Sequence, residues 1–577
     1  MNDTKQSLLA VLVASTVAVI LPSISHAKEI MVPEQHKTIQ AAIDAASTGD
    51  VILVDPGTYY ERLVLKRGIT LKSVGDNIQG KLGLLRTENT IINGGGKRGE
   101  GPGVALAEEA VLDGFTITNV GIYDDAKWTK HHATQGSLQS YEHIGAPGVA
   151  GIAITGISKC TVKNNIVHHI GYTGIAITGN PNKQVSPQIV QNISYRNMGG
   201  GIGSMKKSTA IISENICYEN FYAGIGHDNA SPLVNKNICY SNIRAGIGIA
   251  EGACPIVRGN RCYKNRRAGI GIRTGSMTKP VIEDNDCYQN DMAGIGNEKY
   301  VEPTIRNNRC YENKLAGIGS RDHARPKIIN NRCYRNLAAG IGTEGAAVAL
   351  IEGNECYENA LAGIGQRSDA QTTLIGNHCH HNKSAGIGFA ACKTGQATMR
   401  DNKIIDNAMV AVGIHTGWTV HLSNNILSRK GGLPPIAMVF KGATATFDNN
   451  TIHGEGVAGI RVGGVVVATG NRFQGITIRK AGPPNFGVWA LAGSKVTLTH
   501  NQFTTWRHAL FASEASVTAN RNTIRDFHKT ALVITNAPQG VNVSNNTAIS
   551  QNPQDKVVVI QGLQAEVTNN VMQTDPK

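Results

Sequence analysis

Aromatic residues make up only 5% of this 577-residue sequence, and charged residues only 17%. The 11 cysteines are too few for a disulfide-dense scaffold in a chain of this length. There is no Walker loop, no HExxH, no paired CxxC and no nucleophile elbow. Gly94, Gly96 and Gly99 fit GxGxxG, but no βαβ unit surrounds them. Helical repeats are excluded because no 3.6-residue apolar pattern appears, and the leucine pattern of leucine-rich repeats is missing. Hydrophobic residues still reach 41%, too many for a disordered chain. What the chain has in excess is glycine, 66 residues, and positive charge, 56 Lys and Arg against 42 Asp and Glu. The resulting +14 suits an acidic partner.

One long apolar run exists, Leu8 to Leu21. It follows Lys5 and ends in Ser25-His26-Ala27. That pattern predicts a signal peptide over residues 1–27 and an exported chain from 28 to 577, periplasmic or extracellular. Export argues against a nucleic-acid partner. No later stretch is long and apolar enough to span a bilayer.

The rest of the chain repeats itself. From Asn215 one phrase recurs, Asn-x-Cys-Tyr-x-Asn-x-x-Ala-Gly-Ile-Gly. Its cysteines are Cys217, Cys239, Cys262, Cys287, Cys310, Cys333, Cys356 and Cys379, mostly 23 residues apart. Degenerate copies begin at Asn165 and Asn192, and looser ones continue from Asn402 to Asn570. The most regular coils span about 192–390. Three short strands per unit, parted by turns, predict a triangular coil. Stacked coils make a parallel β-helix in which identical side chains meet at the strand spacing of roughly 4.8 Å. The first Asn of each unit is then expected to form a ladder of side-chain amides.

These residues resemble the right-handed parallel β-helix superfamily with the pectin-lyase-like fold, in its NosD-like and carbohydrate-binding/sugar-hydrolase branch. The opening Thr38 to Leu65 is similar to the N-terminal cap of that family, placed here at about 28–65. A short helix, Ile39 to Ala46, is expected over the end of the stack, followed by a first strand and a turn at Asp55–Tyr59. The expected fold is therefore all-β, a single right-handed solenoid with coils of about 23 residues. The superfamily holds lyases, hydrolases, epimerases, accessory proteins and adhesins, so the resemblance leaves activity open.

Column by column, the cysteines should point inward. They read as small apolar filling, or as thiolates for a soft metal such as copper. Alternation then turns the next residue outward. This gives a candidate binding row, Tyr218, Tyr240, Tyr263, Tyr288, Tyr311, Tyr334 and Tyr357, preceded by Tyr195 and followed by His380. Such a row suits a repeating polymer or a flat protein partner, and it equally suits mutual ring stacking that stabilises the sheet. Arg273, Glu298, Arg321, Glu344 and Arg367 alternate in sign and predict an ion-pair ladder.

Candidates for chemistry lie where the pattern breaks. An insertion at about 121–147 carries Asp124, Asp125, His131, His132 and His143. It leaves the repeat near His168 and His169, so loop and histidines should be neighbours. Imidazoles with carboxylates fit zinc or copper, or a general base. A solvated loop with unrelated histidines is the alternative. His378, His380 and His381 form a second possible soft-metal cluster. His227-Asp228, resembling the His-Asp of alginate epimerases, and the pair His168 and His169 are the candidate catalytic residues.

Three functions remain open: binding or processing of a polysaccharide, an acidic one, as a lyase, hydrolase or epimerase if an enzyme; a periplasmic copper accessory protein; and a non-catalytic scaffold that binds another exported protein. A calcium, copper or zinc ion is the candidate cofactor.

Overall fold

The computed structural model describes residues 27–134, 136–139, 149–562 and 565–574. Residues 1–26 of the expected leader lie outside that range.

Thr304–Arg306, Arg309–Tyr311 and Ile318–Arg321 form one coil. Each of these strands pairs in parallel with the same strand of the next coil. Ile305 meets Ile328, Cys310 meets Cys333, and Ile318 meets Ile341. Repetition of this pairing builds three parallel sheets in a right-handed solenoid. The first sheet has 22 strands and holds the residues before the first Asn of each unit. The second holds the Cys-Tyr strands and the third the Gly-Ile-Gly strands. One apolar column system runs inside from Ile30 to Ala548.

Of the three corners of each coil, the two on either side of the second sheet use the same device. The residue before each ladder asparagine is left-handed, as at Asn307 (φ 56°) and Glu312 (φ 54°). Such a conformation costs an L-residue about 1–2 kcal/mol. The asparagine that follows fixes the corner. Asn308 Oδ1 accepts from the backbone N–H of Asn285 at 3.0 Å and from its Nδ2 at 2.9 Å. Asn308 Nδ2 donates to Asn331 Oδ1, Ile282 O and Arg306 O. This first ladder is unbroken from Asn165 to Asn570. A second, unexpected ladder runs along the other corner from Asn197 to Asn407. It consists of the second Asn of the repeated phrase.

The cap departs from expectation in two places. Strand Glu29–Val32 precedes the helix and is itself the first rung, paired with Val51–Val54. The helix, α1, covers Ile39–Ala45, with Thr38 accepting from the Ala41 N–H and Ile39, Ala42 and Ile43 buried. The expected turn at Asp55–Tyr59 contains instead a short second-sheet strand, Gly57–Tyr59, paired with Thr90–Ile92. A second short helix, α2, at Leu85–Asn89 sends the Arg86 guanidinium into a buried pair with Asp113 at 2.6 Å.

The two glycines of Gly-Ile-Gly are not equivalent. A Cβ on Gly317 would lie 2.6 Å from Gly340 O, 2.9 Å from Asn336 Nδ2 and 3.0 Å from Cys333 Cβ. A Cβ on Gly319 would meet only alanine Cβ atoms, at 3.8 Å and beyond. Gly317→Ala should therefore cost about 1–3 kcal/mol by overpacking. Gly319→Ala should stay within about 0.5 kcal/mol of the parent. Urea unfolding of both variants measures the difference, and equal midpoints would contradict the assignment.

Candidate functional site

The tyrosine row stands on the outward face of the second sheet. From Tyr195 to Tyr357 each ring follows the last at 4.8–5.1 Å between centroids, with planes within 8°. His168 stacks on the first ring and His380 on the last. These separations are too short for rings lying side by side in one plane, so the rings overlap as offset stacks. Ring faces are spent on neighbouring rings, and the edges and hydroxyls remain for a partner. Partial burial raises the phenol pKa values along the row, with neighbouring tyrosines adding to it, and Tyr311 is pushed up to about 12. The row thus presents protonated hydroxyls.

Charges flank it. The residues two positions before the tyrosines include Arg261, Asp286, Arg309, Arg332 and Glu355, in register. Arg309 pairs with Asp286, and Arg332 with Glu355 at 2.7 Å. The expected alternating ladder on the third sheet also forms. Arg321 pairs with Glu298, Arg367 lies 3.8 Å from Glu344, and Arg273 is in register with Glu298.

The insertion packs as an arm along the corner beside the row. Its helix, α3, spans Asp125–Ala133 and is capped by Asp124, whose side chain accepts from the Lys127 N–H at 2.9 Å. Trp128 is buried among Met198, Phe221 and Ile243 and donates from Nε1 to Glu219 O at 2.7 Å. His132 stacks on the Trp128 ring and His131 meets Phe221 edge-on. Asp125 pairs with Arg196, which lies over the Trp128 indole. Further on, Gln139 Nε2 donates to Ile243 O and Arg267 Nε to Gln139 Oε1. The described part of the insertion is therefore packed on the solenoid rather than solvated.

The arm and the histidine pair are neighbours, as expected. Tyr123 meets His169 edge-on at 4.5 Å. His168 Nδ1 lies 2.6 Å from His169 Nδ1 and 3.3 Å from Thr118 Oγ1. Burial, then the neighbouring His169, lowers the His168 pKa to about 4. Yet Asp124, Asp125, His131, His132, His168 and His169 do not converge as three ligand atoms. Among the described residues only Glu355, His378 and His380 do so. His143, with Tyr141 and Glu142, lies outside the described residues. Glu355 precedes Cys356 as His378 precedes Cys379, so the register of the cysteine column is the sequence signal that brings it beneath His378.

His227 and Asp228 are separated by strand alternation. His227 points into the core, 3% exposed, with no hydrogen-bond partner on either ring nitrogen, whereas Asp228 faces solvent. As adjacent residues of one strand they cannot act together on one atom. The Cys column lies inside as expected, fully buried. Burial raises the thiol pKa values of Cys239, Cys287, Cys310, Cys333 and Cys379, which keeps them protonated packing groups.

The model of the right-handed β-helix region matches residues 150–302, 296–427 and 436–572. The chain belongs to the right-handed β-helix family. No curated protein sequence matches it. Among solved structures this β-helix chain is similar to the periplasmic alginate epimerase AlgG, at 16% identity over 48% of this chain and 73% of that one, with a TM-score of 0.30. It is also similar to the A-module of Azotobacter vinelandii mannuronan C-5 epimerase AlgE6, at 14% identity over 70% and 94%, TM-score 0.28. Pectin methylesterase PemA from Erwinia chrysanthemi matches at 11% identity over 48% and 80%, TM-score 0.25.

The buried histidines of this β-helix set a pH dependence. Burial lowers the His227 pKa to about 3, so the unfolded chain, titrating near 6.5, takes the proton first. Stability must then fall as pH drops from 6.5 toward 3, and His168 acts in the same direction. His227→Leu should flatten the loss of urea midpoint between about pH 7 and about pH 4.5. Parallel curves for parent and variant would show that His227 does not contribute.

Proposed function

We propose that this β-helix protein binds an extended polysaccharide, an acidic one, along the tyrosine row. The observation that carries the reading is the row itself: an unbroken stack of tyrosine rings, one per rung. It spans about 34 Å at roughly 4.8 Å per rung. A polymer with a short repeat can meet such a surface rung by rung, whereas a small ligand would use a fraction of it. Recognition is by hydrogen bonds from the hydroxyls, because the ring faces cover one another and the flanking Arg309 and Arg332 are paired with Asp286 and Glu355. The net charge of +14 favours an acidic polymer. The apolar leader supports an exported protein, periplasmic or extracellular. Binding is the activity read from this face; of the four candidate catalytic residues, His227 and Asp228 lie on the third sheet and point to opposite sides of their strand, and His168 and His169 flank the first ring of the row.

A second reading, docking of another exported protein, has one specific observation behind it. Beyond the arm the same corner continues with exposed Leu315, Leu337, Leu361 and Met409.

The hydroxyl mode makes a sharp prediction. Tyr263→Phe combined with Tyr288→Phe keeps the ring stack and removes two central hydroxyls. Retention on an immobilised polyuronate should fall roughly 10-fold, in line with about 0.5–1.5 kcal/mol per lost hydrogen bond. Binding to a neutral glucan support should be weak for parent and variant alike. Unchanged retention of the double variant would reject polymer binding at this row.

A further inference from the structure

At the C-terminal end of the tyrosine row the second sheet changes character. Strand His378–His380 places Cys379 inward and both histidines outward. One rung earlier, Glu355 is directly in register with His378, and Tyr357 with His380. Three side chains of two adjacent rungs therefore share one small patch of surface. Their ligand atoms all lie within 4.8 Å of one another. His380 Nε2 is 3.5 Å from Glu355 Oε1, and the two imidazole centroids are 4.4 Å apart.

The surroundings orient these groups toward a common point. Arg332 Nε donates to Glu355 Oε2 at 2.7 Å, which leaves Oε1 on the histidine side. His381 Nδ1 lies 2.8 Å from His380 Nδ1, so the Nε2 of His380 is the nitrogen that faces Glu355. The His380 ring is also fixed flat on Tyr357, at 5.1 Å and 1°. His378 Nε2 is buried without a hydrogen-bond partner. Outer contacts of this kind, on the far nitrogen of a histidine and the far oxygen of a carboxylate, are what orients metal ligands. Two cationic groups oppose a bound cation: Arg332, which already holds the far oxygen of Glu355, and Lys403, in register with His378 on the following rung.

We propose that Glu355, His378 and His380 form a binding site for a divalent zinc-class cation. Two imidazole nitrogens and one carboxylate oxygen are a borderline donor set that suits zinc better than calcium or copper(I). Three protein ligands leave a fourth position for water or an anionic oxygen. Cys379 takes no part, since its thiol faces the core. The site is built by register alone, from residues 23 and 25 apart, and does not depend on polymer binding by the tyrosines.

The test uses the full mature chain and zinc ion alone. Calorimetric titration and metal analysis after desalting should give one zinc per chain. His378→Ala combined with His380→Phe, which keeps an aromatic ring on Tyr357, should abolish that equivalent. Glu355→Gln, a milder change that retains an acceptor for Arg332, should weaken binding at least 10-fold. Cobalt(II) loaded in place of zinc should show a spectrum of nitrogen and oxygen ligands, lost in the double variant. Far-ultraviolet circular dichroism confirms that the variants are folded. Zinc uptake unchanged in both variants would overturn the proposal. So would a thiolate-to-cobalt charge-transfer band, which would place the metal on cysteine, or no zinc uptake by the parent chain.

Discussion

Every coil of this molecule rests on a copy of itself, so every inward or corner side chain must be able to bond to its own kind. Asparagine meets that constraint. Its amide carries an acceptor and two donors, and stacking at the rung spacing lets each Oδ1 take hydrogen bonds from the preceding residue while each Nδ2 serves the next. In the Asn285–Asn308–Asn331 segment all the amide groups are used. The surrounding corner is buried, where an unmade hydrogen bond is costly. That cost is what keeps left-handed residues such as Glu312 and Arg335 in place, although neither is a glycine. The ladders hold the corners, and the corners hold the three strands in a constant register.

Constant register turns sequence position into surface position. Residues one coil apart become neighbours on one face, so outward chemistry is organised as lines parallel to the axis. The tyrosines form one line, and the Arg/Glu alternation of the third sheet forms another. Opposite signs at successive rungs satisfy one another locally, as at Arg321 and Glu298. They leave no uniform field on that face. The tyrosine line differs because like stacks on like without repulsion, so its ring faces satisfy one another while its hydroxyls stay outside the stack, that of Tyr357 accepting from Arg332. The same rule explains why Glu355 joins His378 and His380: two histidines flanking the column cysteine on one rung acquire a partner from the rung before.

Much of this was readable from the chain. The cysteine spacing fixed the coil length, alternation placed Cys inward and Tyr outward, and the first Asn column was foreseeable as a ladder. Alternation also separates His227 from Asp228, since adjacent strand residues face opposite sides; only the resemblance to the His-Asp of alginate epimerases singles the pair out. The arm was not readable. Its helix has no strong apolar stripe, and Trp128 finds Phe221 and Ile243 only because the corner beside it is already built. The strand Glu29–Val32 was equally hidden, because its partner Val51–Val54 lies across the helix.

The glycine column shows how tightly these lines are coupled. A Cβ on Gly363 would meet Asn382 Nδ2 at 2.7 Å, and one on Gly386 would meet Asn407 Nδ2 at 2.6 Å. The glycine thus leaves room for the second ladder on the next coil. That ladder ends at Asn407, and one coil later the corresponding position is Ala411 rather than glycine. Where glycine returns, at Gly459 and Gly487, the close neighbours are the rings of Phe473 and Phe503 instead. The repeated Gly-Ile-Gly is therefore not a flexible turn. Its first glycine is the steric complement of whatever bulky group the next coil turns toward it, and the motif persists as far as that group does.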